Sequence, residues 1–195
     1  MVIFETLEGG SMKDTQNPIA LRSKEWLANA LLELMKTKPF REISISEIAE
    51  KADLSRRTFY RSFSSKEEVI CFHLQTIWRT GALKLSTDED HSYYHTIRWY
   101  LELWYEHREL ALLLYQNDLL SLLLQEYNYL FREVYLMRKG NYPLAKQSEA
   151  MKYALSYSAG GLLNVLWQWT SEGMQKSPEK VADLLMVAIQ LPNQE

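Results

Sequence analysis

From residue 19 onward, apolar side chains return at every third or fourth position, the repeat of one helix face. Leu27, Ala30, Leu31, Leu34 and Met35 form the first such stripe. It must end before Lys38-Pro39, because proline lacks the amide that the next turn requires. Phe40 then stands as an isolated large apolar residue and is expected to plug the core. In Ser44-Ile45-Ser46-Glu47 a serine precedes a glutamate by three residues, the spacing at which each side chain satisfies the other's orphan backbone amide at a helix start. A short helix through about Lys51 follows. Ala49 is small where a neighbour would cross, Asp53 stands where the chain must turn sharply, Leu54 points back inward and Ser55 can cap another helix. Two short helices joined by three or four residues make a helix-turn-helix.

On a wheel of about 100° per residue, Phe59 and Phe63 fall within about 40° of each other. Arg57 and Arg61 lie opposite, flanked by Thr58 and Tyr60. One side of this helix anchors and the other presents guanidinium groups, a phenol and a hydroxyl. A second capping box, Ser64-Ser65-Lys66-Glu67, is expected to open a helix over 66–85, ended by Asp88-Glu89-Asp90. The pattern continues with helices over 93–115 and 119–137, a loop at 140–143, and a long helix over 145–172. Ser177-Pro178-Glu179, with serine as cap and proline in the first turn, starts a last helix reaching Gln190. The expected fold is all-α, with about nine helices. Residues 1–17 hold no lasting period and read as a flexible N-terminal tail. Residues 18–66 read as a three-helix head and 67–195 as a helical body.

Composition agrees with helices. Only 7 Gly and 5 Pro leave little material for the turns of a β protein, and 47% hydrophobic residues argue against disorder. The single cysteine, Cys71, excludes an internal disulfide and favours a reducing, cytoplasmic setting. No apolar run approaches membrane-spanning length, so no membrane partner is expected.

The net charge of −3 argues against a polyanion partner until it is divided along the chain. Residues 18–70 hold ten bases and eight acids, whereas 71–195 hold eleven bases and fourteen acids. Within 54–66 stand Arg56, Arg57, Arg61 and Lys66 with no acid. A local positive face therefore sits on an otherwise acidic chain.

In the long helix, Leu155, Ala159, Leu162, Leu166 and Trp169 follow at steps of four and three, a coiled-coil-like seam. Val181, Leu184, Leu185 and Ala188 offer a matching stripe in the last helix. Two such helices from each of two chains would build a four-helix dimer interface; packing within one chain is the alternative. Gly160 and Gly161, beside the seam, each cost about 1 kcal/mol in helix propensity, offset only if another helix comes close.

The run from Ile43 to Glu68, with Ile48-Ala49, Thr58-Phe59-Tyr60, Phe63 and Ser65-Lys66-Glu67 in order, resembles the DNA-binding head of the TetR-type (TetR/AcrR) transcriptional regulators. The likeness covers about residues 19–72. Asp53 departs from it, since glycine is common there in the family; Asp tolerates a left-handed backbone better than most residues. Gly160-Gly161-Leu162, Trp169, Gly173 and Ser177-Pro178-Glu179 resemble the ending of many Gram-positive members.

The resemblance implies a sequence-specific transcriptional regulator, a homodimer on a near-palindromic double-stranded DNA operator, with a repressor released by a small-molecule effector as the first expectation. Arg57 and Thr58 are expected near base edges, and Arg56 at a base or a phosphate. Tyr60, Arg61 and Lys66 are expected at phosphates, and Ser44 and Ser46 as donors to the DNA backbone. Recognition helices should stand about 34 Å apart or near a multiple of that repeat. Polar-tipped aromatics and polar residues of the body, Trp78, His95, Trp99, Tyr127, Asn128, Tyr153, Tyr157 and Asn164, are candidate effector contacts. The 66–85 helix, running from head to body, is the expected lever. An alternative is a TetR-like co-regulator or activator whose body takes a protein partner.

An enzyme would have to use Cys71, His73, His91, His95 and His107. His91 and His95 are four apart but straddle a helix start, and no third metal ligand follows at a telling spacing. No catalytic residue, metal or cofactor is expected.

Overall fold

The computed structural model describes residues 18–90, 92–124, 126–127 and 149–190; the N-terminal tail, His91, Asn128, the 140–143 loop and most of the 119–137 helix lie outside them. The described residues are helical and include no strand. Among the described residues the elements are α1 (Pro18–Met35), a 3-10 turn (Phe40–Glu42), α2 (Ile45–Lys51), α3 (Arg56–Ser62), α4 (Lys66–Ser86), α5 (Tyr93–Glu106), α6 (Arg108–Gln116), α7 (Glu149–Ser171) and α8 (Pro178–Gln190). Residues 122–124 and 126–127 are also helical. The chain divides into two units, 1–73 and 74–195, with the division inside α4.

In the first unit α1 packs on α2 and α3, and α2 on α3. Leu27, Leu31, Ile48 and Phe59 are fully enclosed, and Phe40 plugs the core from the 3-10 turn. Burying a side chain the size of Phe59 contributes about 1.5–3 kcal/mol. The turn between α2 and α3 is built by hydrogen bonds that close the end of α2. The Asp53 amide donates to the Glu50 carbonyl at 3.0 Å and the Leu54 amide to the Ala49 carbonyl at 2.9 Å. This six-to-one closure needs a left-handed residue, and Asp53 supplies it at φ 54°. Asp118, at φ 58°, ends α6 in the same way, with Leu119 donating to Leu114 at 2.8 Å.

Two boundaries differ from expectation. The cap of α4 is shifted by one residue: Ser65, not Ser64, accepts from the Glu68 amide at 3.2 Å, and the Glu68 carboxylate accepts from the Ser64 amide at 2.5 Å. The continuous helix expected over 93–115 is broken at His107, whose backbone leaves helical geometry at φ −107°, ψ 30°. The stripe Ile97, Leu101, Trp104 would next bury His107 and Arg108; a break there keeps Arg108 exposed and lets Leu110 and Leu114 point inward.

In the second unit α5 packs on α8, α6 on α7, and α5 on α6. At Gly81 an added Cβ would lie 3.0 Å from the Leu103 side chain and 3.2 Å from Trp99, so only glycine permits this approach of α4 and α5 without adjustment. The expected dimer seam is placed differently. Ala159, Leu162, Leu166 and Trp169 are buried within the protomer, as is Val181, and Leu155 is half-buried. Trp169 stacks on Tyr105 at 5.8 Å and its indole donates to the Lys176 carbonyl at 3.2 Å. This stripe is the chain's own core, because α5 and α6 already cover it. Leu184 and Ala188 remain exposed and Leu185 half-buried.

Candidate nucleic-acid interface

Helix α3 is held from behind and at its start. Phe59 and Phe63 are buried, in ring contact at 6.0 Å. Ser55 caps the helix by accepting from the Thr58 amide at 3.1 Å. The Ser55 and Thr58 hydroxyls also share one hydrogen bond at 3.0 Å, which uses one of their two protons and leaves the other for an outside acceptor. Arg56, Arg57 and Arg61 are exposed, Tyr60 is 53% exposed, and Thr58 is half-buried. No acid stands in the first turn. Three guanidinium groups, a phenol and a hydroxyl therefore converge on one short, rigidly backed helix, the donor set that phosphates and guanine edges accept from.

At the start of α2 the expected capping box is present in full. The Glu47 carboxylate accepts from Lys38 at 2.7 Å, from the Ser44 amide at 2.8 Å and from the Ser44 hydroxyl at 2.7 Å. Lys38 first, and then Ser44, pull this carboxyl down to about 2. The Ser44 hydroxyl proton is thus directed at Glu47 and not outward, so its donation to a DNA backbone would require this bond to open. Ser46 is exposed one residue into the helix. Lys66 is also engaged: its ammonium donates to the Phe40 carbonyl at 2.8 Å and the Ile43 carbonyl at 2.6 Å, and lies 4.6 Å from the centre of the Phe40 ring. The phosphate contact expected of Lys66 has at most one N–H left to use.

Of the effector residues expected from sequence, Asn128 lies outside the described residues. Trp78, Trp99 and Tyr127 come together, with ring centres 5.6 Å apart for Trp78 and Trp99 and 5.3 Å for Trp78 and Tyr127. His95 lies at the start of α5, where its Nε2 faces Asp88 at 2.6 Å and its Nδ1 faces Asp90 at 3.7 Å. Tyr153 and Tyr157 are 71% and 78% exposed on α7. Asn164, also exposed, donates to the Gly160 carbonyl at 2.8 Å. Tyr153, Tyr157 and Asn164 are surface residues because α7 turns its other side to the core.

Tyr100 joins this enclosed cluster, its ring centre 6.0 Å from Trp78 and 5.7 Å from Tyr127. Tyr100 donates to the Leu162 carbonyl at 3.2 Å and shares a hydrogen bond of 2.8 Å with Tyr127. Tyr100 has only one proton, so Tyr127 is the donor between them. Burial pushes both phenols well above their ordinary range, so both stay protonated. Trp104 is buried beside them. Gln75 donates to both oxygens of Glu126, at 3.3 and 3.1 Å, and burial raises that carboxyl while Gln75 lowers it. Tyr100 and Trp104 share the three- and four-residue stripe of Ile97 and Leu101, a signal present in the sequence; the Gln75–Glu126 pair spans 51 residues and leaves none.

No group of three or more metal-ligating side chains occurs among the described residues. No described helix is long and apolar enough to cross a membrane.

Residues 27–70 match the bacterial regulatory proteins of the tetR family, and residues 92–191 match a transcriptional regulator C-terminal region. No curated protein matches the sequence. Among solved structures, the dihydroxyacetone kinase operon activator DhaS superposes with a TM-score of 0.53 at 21% identity, covering 88% of this chain and 98% of its own. The fatty acid degradation regulator FadR from Bacillus halodurans superposes with a TM-score of 0.51 at 16% identity, covering 86% and 92%. At such identities the likeness speaks for the fold. Together with the two family matches and the exposed basic helix, it identifies the chain as a member of the TetR family of DNA-binding transcriptional regulators.

Proposed function

We propose that the protein is a cytoplasmic repressor that binds a near-palindromic operator as a homodimer and is released by a small-molecule effector. The observation that carries the DNA part is the exposed set Arg56, Arg57, Tyr60 and Arg61 on a helix anchored by Phe59 and Phe63. Arg57 and Thr58 read base edges; Tyr60 and Arg61 hold phosphates; Arg56 serves either. Ser46 adds a backbone contact, and Ser44 acts chiefly as the cap that fixes α2.

One head offers few contacts, so a second is needed for useful affinity. The surface that supports dimerisation is not the buried seam but the opposite side of α7. Tyr153, Tyr157, Gly160, Asn164 and Trp167 fall within about 40° of one direction on the helix. On α8, Leu184, Val187 and Ala188 are exposed. An added Cβ at Gly160 or Gly161 would meet nothing within 4 Å in the protomer, which leaves room for a second helix.

Selection of bound duplexes from a random pool tests the reading, followed by titration of the recovered site against salt. Eight to ten neutralised phosphates per dimer give a slope of about −7 to −9 in log K against log salt. A slope near zero, or an unchanged preference among duplexes after Arg57→Ala with Thr58→Ala, overturns it. Sedimentation at working concentrations should give a dimer. For the effector, a hundredfold release takes about 2.7 kcal/mol of differential affinity between two forms of the body.

One observation favours a second reading, a co-regulator or activator whose body takes a protein partner. In the described aromatic cluster Trp78, Tyr100, Trp104 and Tyr127 are all buried, and the phenol protons are used internally, Tyr127 on Tyr100 and Tyr100 on the Leu162 carbonyl. DhaS, of the same fold, is by name an operon activator. A body that binds no small molecule in a screen, but retains a protein partner while dimeric, would favour this reading.

A further inference from the structure

The helix-turn-helix is closed tightly at one end. The six-to-one bond from Leu54 to Ala49, the left-handed Asp53 and the Ser55 cap fix α2 to α3 at the turn. At the other end stand two segments far apart in sequence, one entering α2 through Phe40–Ser44 and one leaving α3 through Phe63–Ser65. Lys66, the first residue of α4, lies just beyond the exit. Its ammonium reaches back 26 and 23 residues to the carbonyls of Phe40 and Ile43, immediately before the Ser44 cap. Its charge sits over the Phe40 ring, and Phe40 is itself a buried core residue.

We propose that Lys66 is a positioning residue for DNA recognition: by tying the entry of α2 to the exit of α3, it fixes the tilt of α3 and with it the aim of Arg57 and Thr58. This rests on the DNA-reading assignment of α3, but it assigns Lys66 an indirect part in place of the phosphate contact expected from sequence. Three features support it. Both bonds are charge-assisted and short, a class about twice as strong as neutral hydrogen bonds. Both acceptors are backbone, so the bonds restrain the path of the main chain and not a mobile side chain. Neither carbonyl belongs to an α-helix: the Phe40 carbonyl also accepts the Ile43 amide of the 3-10 turn at 3.2 Å, and to both carbonyls Lys66 adds a donor from the far end of the motif.

The test compares Lys66→Met, which keeps the stem over Phe40 and removes the donors, with Lys66→Arg, which keeps the charge but replaces the compact ammonium by a planar fork. Full-length variants are measured against the selected operator and a scrambled duplex over a range of salt, below their unfolding temperatures. Positioning predicts that both variants drop about tenfold in the ratio of specific to non-specific affinity, while the salt slope stays that of the parent. Direct phosphate binding predicts instead that Lys66→Met lowers the slope by about one unit for each phosphate no longer neutralised, weakens both duplexes alike, and that Lys66→Arg restores binding. That pattern overturns the proposal. So does a third outcome, in which the variants unfold at lower temperature but discriminate as the parent does, since Lys66 would then only stabilise the head. If the parent itself shows no operator preference, the DNA-reading assignment fails first, a result distinct from any of these.

Discussion

The two units are made of the same element but specified in different ways. In the first, the starts of α2, α3 and α4 are each written within four residues: Ser44 with Glu47, Ser55 with Thr58, Ser65 with Glu68. In the second, helices are placed by partners far along the chain, Tyr100 on Leu162 at 62 residues and Tyr94 on Asp183 at 89. Local specification suits a reading head whose geometry must be fixed before DNA arrives. Long-range specification suits a body whose packing can be biased by what it binds.

The largest expected effect tests whether the head has one indispensable anchor. Phe59→Ala should cost about 3–5 kcal/mol, enough to unfold most of a marginal domain, visible as loss of the thermal transition of the head. The body should respond to removal of one hydroxyl instead. Tyr100→Phe removes the acceptor that the Tyr127 hydroxyl uses in a buried place and the second donor on the Leu162 carbonyl, which keeps its own helix bond, and should cost about 1–3 kcal/mol. Tyr127→Phe, which only removes a donor that Tyr100 can forgo, should cost less in the same denaturant titration. A reversed order would mean that the direction of the Tyr127–Tyr100–Leu162 chain is wrong.

A smaller change of opposite sign sharpens the comparison at the turn. Asp53→Gly removes the left-handed penalty of about 1–2 kcal/mol, partly offset by the greater entropy of glycine in the unfolded chain. A net gain of up to about 1 kcal/mol is therefore expected from calorimetry. The least effect is confined to acid. Glu47 has its carboxyl depressed from 4.5 to about 2, so its contribution is fully present above about pH 4.5 and fades as pH falls toward 2. Replacement by Gln should flatten the acid-induced drop in head stability in that window and leave the neutral region's pH dependence unchanged.

The same contrast explains what is legible in the sequence. Boundaries of α1, α2, α3 and α8 follow from caps, proline and glycine-like turns, which act over a few residues. The buried side of α3 follows from the phase of Phe59 and Phe63. The α7 stripe is visible too, but period alone says that a face is covered and not by what. Leu162 and Leu166 meet their own chain, whereas Tyr153 and Tyr157, more polar and less regular, are left outward. The break at His107 depends on which neighbours α5 and α6 must reach, and no local signal encodes that. Lys66 reads from sequence as a cation available to DNA because its two acceptors lie more than twenty residues away.

Of six tryptophans, only Trp26 belongs to the head, where it is exposed with Arg22 over its ring at 4.8 Å. Trp78 and Trp104 are sealed among phenols in the body. The molecule therefore carries its own optical reporter: with Trp26 changed to Phe, tryptophan emission arises from the body alone. Any compound that enters the aromatic cluster must quench or shift it, and a library can be screened without label or operator.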